Sequence, residues 1–177
     1  YKMSSARLKK AGFTSKPQVR AMMQLITSTA DCKVNYILDN FNHTKVLVFS
    51  QYVEALKAIQ CQLIDKGKKV LLYTGDMFMA QRLEVLEQWR TGEYDILLLS
   101  VMGARYGLNL IEATDVVLLE PPTSLAILEQ VEDRAHRIGQ EFKVTSHLLI
   151  WGGSDYERLE NIINKQEAIE KVYSFLE

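Results

Sequence analysis

Residues suited to chemistry on a phosphate group occur together in the stretch QVEDRAHRIGQ, residues 130–140. Gln130, Arg134 and Arg137 follow one another at spacings of four and three residues, so on a helix they would share one face. Two guanidinium groups presented together suit a multiply charged oxyanion such as a phosphate, because each offers a planar fork of N–H donors. The alternative is an ordinary surface helix with a few ion pairs, and the spacing alone does not decide between the two.

Small polar residues and glycines form a second group of candidates, because they come directly after short apolar runs. They are Ser50, Gln51, Thr74, Gly75 and Ser100, together with the stretch GARYGLNL at residues 103–110. Small hydroxyls and glycines let the backbone approach a phosphate, and the amides of Gln51 and Asn109 both donate and accept hydrogen bonds. The alternative is that strand ends need turn residues in any fold.

Five apolar runs predict the strands that would position these residues. They are KVLVFS (45–50), KVLLYT (69–74), YDILLLS (94–100), DVVLLE (115–120) and the less regular KVTSHLLI (143–150). The first four lack polar alternation, as strands buried on both faces do, and the fifth is predicted nearer an edge. Helical patterns between the runs predict right-handed crossovers, and therefore an α/β fold with three layers and a mainly parallel sheet. Ligands gather at the carboxyl ends of such strands.

The helical patterns have predicted faces and ends. One apolar face is formed by Val53, Leu56, Ile59, Leu63 and Ile64, and another by Leu83, Leu86 and Trp89. Gly67 and Gly92 follow these patterns, where a left-handed residue commonly ends a helix. Val19–Ser28 and Lys33–Phe41 are predicted to be helices before the first strand. Ser154 is predicted to be the N-cap of a long C-terminal helix, with Glu157 reaching back to it.

Length and composition favour an ordinary globular protein with one domain. The chain has 177 residues, of which 47% are hydrophobic and 24% charged, and its net charge is -1. Residues 1–20 carry six Lys or Arg and no acid, which favours a solvated linker, with contact to a phosphate backbone as the alternative. Two distant cysteines indicate a reducing, intracellular setting. No metal-ligand spacing or membrane span is evident, and the opening YKMSSARLKK indicates a piece of a longer protein.

Taken in order, these stretches resemble the C-terminal helicase-like lobe of SWI/SNF-type ATPases, in superfamily two of the helicases and translocases. KVLVFSQY resembles the family's motif IV, and LLYTGDM, followed by Arg82 and Trp89, resembles the next block. SVMGARYGLNLIEATDVVLLE resembles motif V and the strand after it. QVEDRAHRIGQ matches motif VI, and HRIGQ distinguishes this family within superfamily two. The resemblance covers about residues 18–170 and implies a RecA-like lobe.

The resemblance implies a role for the arginines. In such enzymes ATP lies between two RecA-like lobes; the first holds most of the ATP and Mg²⁺, and the second supplies arginine fingers. Arg134 and Arg137 would reach the β- and γ-phosphates, with Arg137 as the main finger, and Gln130 and Gly107 would lie at nucleotide-binding positions. Positive charge there would stabilise the phosphoryl oxygens in the transition state. His136 is expected to pack or to form hydrogen bonds rather than to act as a base.

The resemblance also implies a grip on the backbone of one DNA strand. The positions that carry over are Ser50, Gln51, Thr74, Gly75 and Asn109, with Arg82 as a weaker candidate. Contacts to phosphates carry little sequence information. Closing and opening of the two lobes, driven by ATP, would move the protein along double-stranded DNA without separating its strands.

Departures from the family pattern concentrate in motif V. Residues 101–106 read VMGARY where the family has a Gly-Gly pair, Ile111 replaces a hydroxyl residue, and EPPTS at 120–124 replaces an aromatic-Asn-Pro block. Arg105 either replaces a lost phosphate contact or lies on the surface. The chain has neither G-x-x-x-x-G-K-[ST] nor a magnesium-binding D-E motif, so we predict that by itself it hydrolyses no ATP.

Three divisions of the chain and three functions follow. The divisions are a basic leader with pre-lobe helices over 1–42, the RecA-like lobe over 43–152, and a C-terminal helix over 153–177 that packs on this lobe or its partner lobe. The favoured function is the second lobe of a DNA-stimulated ATPase that works with the first lobe on chromatin, stalled forks or transcription complexes. The alternatives are a non-catalytic DNA-binding or interaction module and, ranked lowest, an RNA helicase lobe. The setting would be nuclear in a eukaryote and cytoplasmic in a prokaryote or for a virus.

Overall fold

The structure is a computed structural model that describes residues 30–41, 44–105, 108–136 and 138–174. In chain order the elements are α1 (30–40), β1 (Val46–Ser50), α2 (Val53–Asp65), β2 (Val70–Tyr73), α3 (Met79–Arg90), β3 (Ile96–Ser100), a 3₁₀ turn (Gly103–Arg105), β4 (Asp115–Leu118), α4 (Leu125–Glu132), β5 (Thr145–Leu148) and α5 (Gly153–Ser174). Each predicted strand is found, with its ends within two residues of the prediction. The predicted helix Val19–Ser28 and the basic leader lie outside the described residues.

The five strands form one sheet in which every pairing is parallel, in the order β2-β3-β1-β4-β5. In the central strand, Val48 lies opposite Leu98 on one side and Val117 on the other. The prediction of a mainly parallel sheet is confirmed, and so is the position of β5 at an edge. The chain builds β2 and β3 on one side of β1 before it crosses to β4. A change of side of this kind opens a crevice at the carboxyl ends of the strands.

Two hydrophobic cores lie on opposite faces of the sheet, because successive strand residues point to opposite sides. One face of β1 and β3 packs against Trp89 of α3 and Val131 of α4. The other face packs against Ile37 of α1 and Leu56 of α2. In the part of the chain that the structure describes, helices therefore cover both faces of the sheet, which gives the predicted three-layer α/β architecture.

The helices confirm some predictions and correct others. Gly67 and Gly92 have φ angles of 78° and 90°, so the two left-handed helix ends are confirmed. The predicted face of α3 is wrong in part, because Leu83 is exposed whereas Val85 is buried one turn before Trp89. Residues four apart share a helix face, and in α3 that face is the Val85–Trp89 face.

The start of α5 also differs from the prediction. The helix begins at Gly153, so Ser154 lies within its first turn rather than at the N-cap. The carboxylate that reaches back belongs to Asp155, whose Oδ2 accepts a hydrogen bond from the backbone N of Trp151 at 2.9 Å. A φ of 83° at Gly152 turns the chain into the helix two residues earlier than predicted, which moves the reach-back position from Glu157 to Asp155. Within the described ranges, no helix has the length and apolar character needed to cross a membrane.

Candidate functional site

The carboxyl ends of β1 and β4 are tied together through the side chain of Glu120. Its Oε1 accepts hydrogen bonds from Ser50 Oγ at 2.7 Å and from the backbone N of Gln51 at 2.6 Å. Gln51 Nε2 also donates to the carbonyl oxygen of Pro121 at 3.1 Å. Both the backbone and the side chain of Gln51 are therefore held at the edge where the strands end.

Glu120 is a buried acid, with only 7% of its surface exposed. Burial raises the pKa of its carboxyl, while the hydrogen bonds from Gln51 and Ser50 and the charges of Lys33 and Arg158 act to lower that pKa. Burial lowers the pKa of the Lys33 ammonium, and nearby carboxylates oppose that shift. Because Lys33 lies on α1 and Arg158 on α5, the Glu120 charge interacts with both flanking helices.

The ends of β2 and β3 are joined through Ser100. Its Oγ accepts hydrogen bonds from the backbone N of Gly75 at 3.3 Å and of Gly103 at 3.1 Å. Arg82 of α3 donates from Nη2 to the carbonyl oxygen of Gly75 at 2.5 Å, and its guanidinium lies 5.8 Å from the centre of the Tyr73 ring. The exposed backbone at Gly75 is thus held from both sides.

The hydroxyls of Ser50 and Thr74, both predicted to contact DNA, form bonds inside the lobe. Ser50 and Thr74 are 1% and 2% exposed, and Thr74 Oγ1 donates to the carboxylate of Asp76. A contact between either hydroxyl and a DNA phosphate stays a prediction. It would require these internal bonds to be exchanged.

Residues 133–136, here called the arginine turn, follow α4, which ends at Glu132. The prediction that Gln130 and Arg134 lie on one continuous helix is therefore wrong. The backbone N of Arg134 bonds to the carbonyl oxygen of Val131 at 3.2 Å, three residues back, as in a 3₁₀ turn. Arg134 is 6% exposed, and Gln130 is half-buried on the helix.

An open groove of about 580 Å³ lies beside the arginine turn and is lined by Asn109, Asp133, His136 and Ile138. The loop that carries Asn109 is bonded to this turn, since the backbone N of Leu110 donates to the carbonyl oxygen of Arg134 at 3.0 Å. His136 is exposed on this groove, and its expected role in packing or hydrogen bonding rather than as a base stays a prediction. The predicted DNA contact at Asn109 and the arginine turn are therefore neighbours.

Two predicted site residues, Arg137 and Gly107, lie outside the described residues, and so does the side chain of Arg105. Their predicted roles stay predictions. Over the described ranges, no group of three or more His, Cys, Asp or Glu is placed to hold a metal ion. Hydrogen bonds thus hold Ser50 and Gln51 at the ends of β1 and β4, and Gly75 and Arg82 at the ends of β2 and β3. A backbone bond holds the loop of Asn109 against the arginine turn.

Two residues that organise these groups were not singled out from the sequence. Glu120 is the last residue of the apolar run DVVLLE. A carboxylate buried at the end of such a strand requires hydrogen-bond or charged partners. Gln140, the last residue of HRIGQ, donates from Nε2 to the carbonyl oxygens of Ile111 and Ala113, both at 2.9 Å. The one sequence feature that could have drawn attention to Gln140 is its place in HRIGQ. Its partners Ile111 and Ala113 are more than 25 residues away and leave no pattern in the sequence.

Comparison with known proteins agrees with the parallel-sheet fold and with the motif stretches described above. The family described as helicase conserved C-terminal domain matches residues 30–139. The DNA repair protein RAD5 of Cryptococcus neoformans is 35% identical over 127 residues, which is 71% of this chain and 11% of that protein. The chromatin-remodeling ATPase INO80 of Schizosaccharomyces pombe is 30% identical over 132 residues, which is 74% of this chain and 8% of that protein. This chain thus spans only about a tenth of the length of either relative.

A solved structure shows the same fold. The C-terminal part of the Fun30 ATPase domain superposes with a TM-score of 0.66 at 22% identity, over 77% of this chain and 44% of that one. At that identity the likeness concerns the fold alone. The family match, the relatives and the parallel sheet agree: the chain belongs to the helicase conserved C-terminal domain family and is a C-terminal RecA-like lobe of the SWI/SNF type.

Proposed function

We propose that this chain is the second motor lobe of an ATP-dependent translocase or remodeller of double-stranded DNA. One observation carries the proposal. The bond between Leu110 N and Arg134 O joins the loop of Asn109, a predicted DNA contact, to the turn predicted to face ATP. The names of two relatives, a DNA repair protein and a chromatin-remodeling ATPase, support the same kind of work.

The arginines would act on the phosphates of ATP bound between this lobe and the first. Arg137 is the main finger, Arg134 the second, and Gln130 helps to orient them beside Gly107. Guanidinium and amide N–H donors suit phosphoryl oxygens, because those oxygens accept hydrogen bonds and gain charge in the transition state. Since Arg134 is buried in this lobe, we expect its contact with ATP to depend on closure of the cleft.

Most of the ATP and its Mg²⁺ would be held by the first lobe. Arginine and amide donors fit phosphate but do not bind a cation, and the described residues include no cluster of ligands for a metal. ATP supplies the free energy for movement when it is hydrolysed between the lobes. We therefore expect the isolated chain to show no ATP turnover.

DNA would contact the ends of β1–β3 and the groove. The backbone at Gly75 is exposed and fixed in place by Ser100 and Arg82, and a phosphate that bound the Gly75 N–H would replace its bond to Ser100 Oγ. Gln51 and Arg82 are partly exposed and Asn109 is exposed. Such contacts follow the DNA backbone and not its sequence. The proposed partners are the first lobe of the same parent chain, double-stranded DNA, and a nucleosome or a transcription or repair complex.

Displacement of a third DNA strand tests the proposed function. The complete protein that contains this lobe is mixed with ATP and a duplex that carries a bound third strand. We expect ATP-dependent release of the third strand while the duplex stays paired, with hydrolysis stimulated by duplex DNA and not by RNA. DNA binding without hydrolysis or release would favour the non-catalytic module, and stimulation by RNA alone would favour the RNA helicase lobe. The proposed location is intracellular, in the nucleus if the source is a eukaryote and in the cytoplasm if it is prokaryotic or viral.

A further inference from the structure

Gln140, the last residue of HRIGQ, makes a cluster of hydrogen bonds that neither nucleotide nor DNA contact requires. Its Nε2 lies 2.9 Å from the carbonyl oxygen of Ile111, 2.9 Å from that of Ala113 and 3.4 Å from that of Ala135. Its Oε1 accepts a hydrogen bond from the backbone N of Phe142 at 3.0 Å. A primary amide has two N–H donors, so three carbonyls share them and the side chain is fully engaged.

The carbonyls that Gln140 contacts belong to two functional segments. Ile111 and Ala113 continue the loop that carries Asn109, whereas Ala135 belongs to the arginine turn. The loop is itself closed by a bond from the backbone N of Ala113 to the carbonyl oxygen of Leu110, at 3.3 Å. One side chain therefore joins the loop to the turn, beside the backbone bond between Leu110 and Arg134.

The backbone before Gln140 is shaped for this contact. Gly139 has a φ of 104°, a conformation that a residue with a side chain rarely adopts. A Cβ atom at Gly139 would lie 3.3 Å from Cδ1 of Ile111, so a larger residue would also crowd the loop. The glycine lets the chain turn back so that the Gln140 amide reaches the loop.

We propose that Gln140 is a positioning residue that couples DNA contact to ATP hydrolysis. Its hydrogen bonds fix the position of the Asn109 loop relative to the arginine turn, so that the turn moves with the loop when the loop shifts on DNA. Without this clamp we expect the loop and the turn to be joined less firmly, because the backbone bond from Leu110 to Arg134 holds them at one point and leaves them able to turn about it. This inference rests on the proposed function, since it requires that the loop meets DNA and the turn meets ATP.

The test compares Gln140→Glu with Gln60→Glu in the complete protein. At 140 the substitution keeps the shape but replaces both N–H donors with an oxygen that faces carbonyl oxygens. Gln60 lies on α2, away from the loop and the turn, so it controls for the added charge. Rates of ATP hydrolysis are measured without DNA and with saturating duplex DNA, together with the DNA dissociation constant and the melting temperature.

We expect the ratio of the DNA-stimulated rate to the DNA-free rate to fall roughly 10-fold to 100-fold in Gln140→Glu, the size seen when a positioning contact is lost. The DNA dissociation constant should change far less, and Gln60→Glu should keep the wild-type ratio. A residue that only supports the fold would lower both rates together with the melting temperature and leave their ratio intact. That result, or an unchanged ratio in a folded variant, would overturn the inference.

Two further measurements keep the test decisive. Gln140→Ala replaces Gln140→Glu in the comparison if the glutamate variant does not fold. Because the position is partly exposed, water can enter the space that alanine leaves and bind the freed carbonyl oxygens. In either variant the amides of Leu110 and Ala113 should exchange with solvent faster than in wild type, and unchanged exchange contradicts the clamp even where rates fall. If the wild-type protein shows no stimulation by DNA, the proposed function fails and this inference fails with it; stimulation retained by Gln140→Glu removes the inference alone.

Discussion

Replacement of Gly103 by alanine should destabilise the lobe, whereas the same change at the facing Gly75 should not. A Cβ atom at Gly103 would lie 2.7 Å from Ser100 Oγ, 2.9 Å from the backbone N of Gly75 and 3.0 Å from the carbonyl carbon of Thr74. Two of these three atoms are backbone at the end of β2, so no side-chain rotation can relieve them. The third is the oxygen that holds Gly75 and Gly103 together.

The expected cost follows from these contacts. Overpacking of a close-packed site costs roughly 1–3 kcal/mol. Displacement of Ser100 would also lose about one hydrogen bond, worth about 1 kcal/mol. The alanine restricts the unfolded chain and returns about 0.4–1 kcal/mol. These terms sum to about 1–3.5 kcal/mol, and we expect Gly103→Ala to lower the free energy of unfolding by that amount.

Gly75→Ala is the matched control. Its Cβ would lie 3.7 Å or more from every neighbour, and Gly75 does not have a positive φ, so the free energy of unfolding should stay within about 1 kcal/mol of wild type. Urea unfolding, followed through the fluorescence of the buried Trp89, measures both variants. With a slope of about 2 kcal/mol/M, the midpoint for Gly103→Ala should fall by about 0.5–1.8 M. Equal midpoints for the two variants, or a neutral Gly103→Ala, would refute the reasoning.

Two other predictions concern charged residues at the strand ends. Burial raises the folded-state pKa of Glu120, so in part of the pH range the folded protein holds a proton that the unfolded chain releases. The stability that this proton gives is lost as the pH rises from about 4.3, the ordinary pKa of glutamate, through the raised pKa. The free energy of unfolding of wild type minus that of Glu120→Gln should therefore decline over this window, and a rising or flat difference would contradict a pKa raised by burial. Arg82→Ala should weaken binding of duplex DNA roughly tenfold and reduce the salt dependence by about one phosphate contact. Arg90→Ala, at the far end of α3, should leave both unchanged; equal effects of the two variants would count against Arg82 as a contact.

Much of the fold was predictable because β1–β4 are buried on both faces. A strand such as ILLLS in β3 has no polar face, and in an α/β protein that pattern is typical of a strand inside a parallel sheet that helices cover on both sides. The order of the strands was not predictable, because it depends on which side of β1 each crossover packs. The face of α3 was partly missed for a similar reason: Leu83 and Val85 are equally apolar, and only contact with the sheet decides which is buried.

The sequence identified several residues of the candidate site but not the hydrogen bonds that join them. The resemblance of the ordered stretches to family motifs pointed to Arg134 and to the strand ends. Small residues after strands, or spaced arginines, have an ordinary structural explanation when each is taken alone. The burial of Ser50 and Thr74 was missed, since a hydroxyl in a motif gives no sign of where it points. Gln140 and Glu120 were missed because their partners are distant in the chain, and such hydrogen bonds leave no local pattern.

ATP hydrolysis by the complete protein, with and without duplex DNA, is the most direct test of the proposed motor. Wild type is compared with Arg137→Ala, and with Arg90→Ala as a control that removes a charge elsewhere. We predict strong stimulation by DNA in wild type and in Arg90→Ala, and a loss of about 10³-fold or more in Arg137→Ala, as expected for an arginine finger. A well-folded Arg137→Ala protein that hydrolyses ATP at the wild-type rate on DNA would contradict the claim that this lobe completes the ATP site.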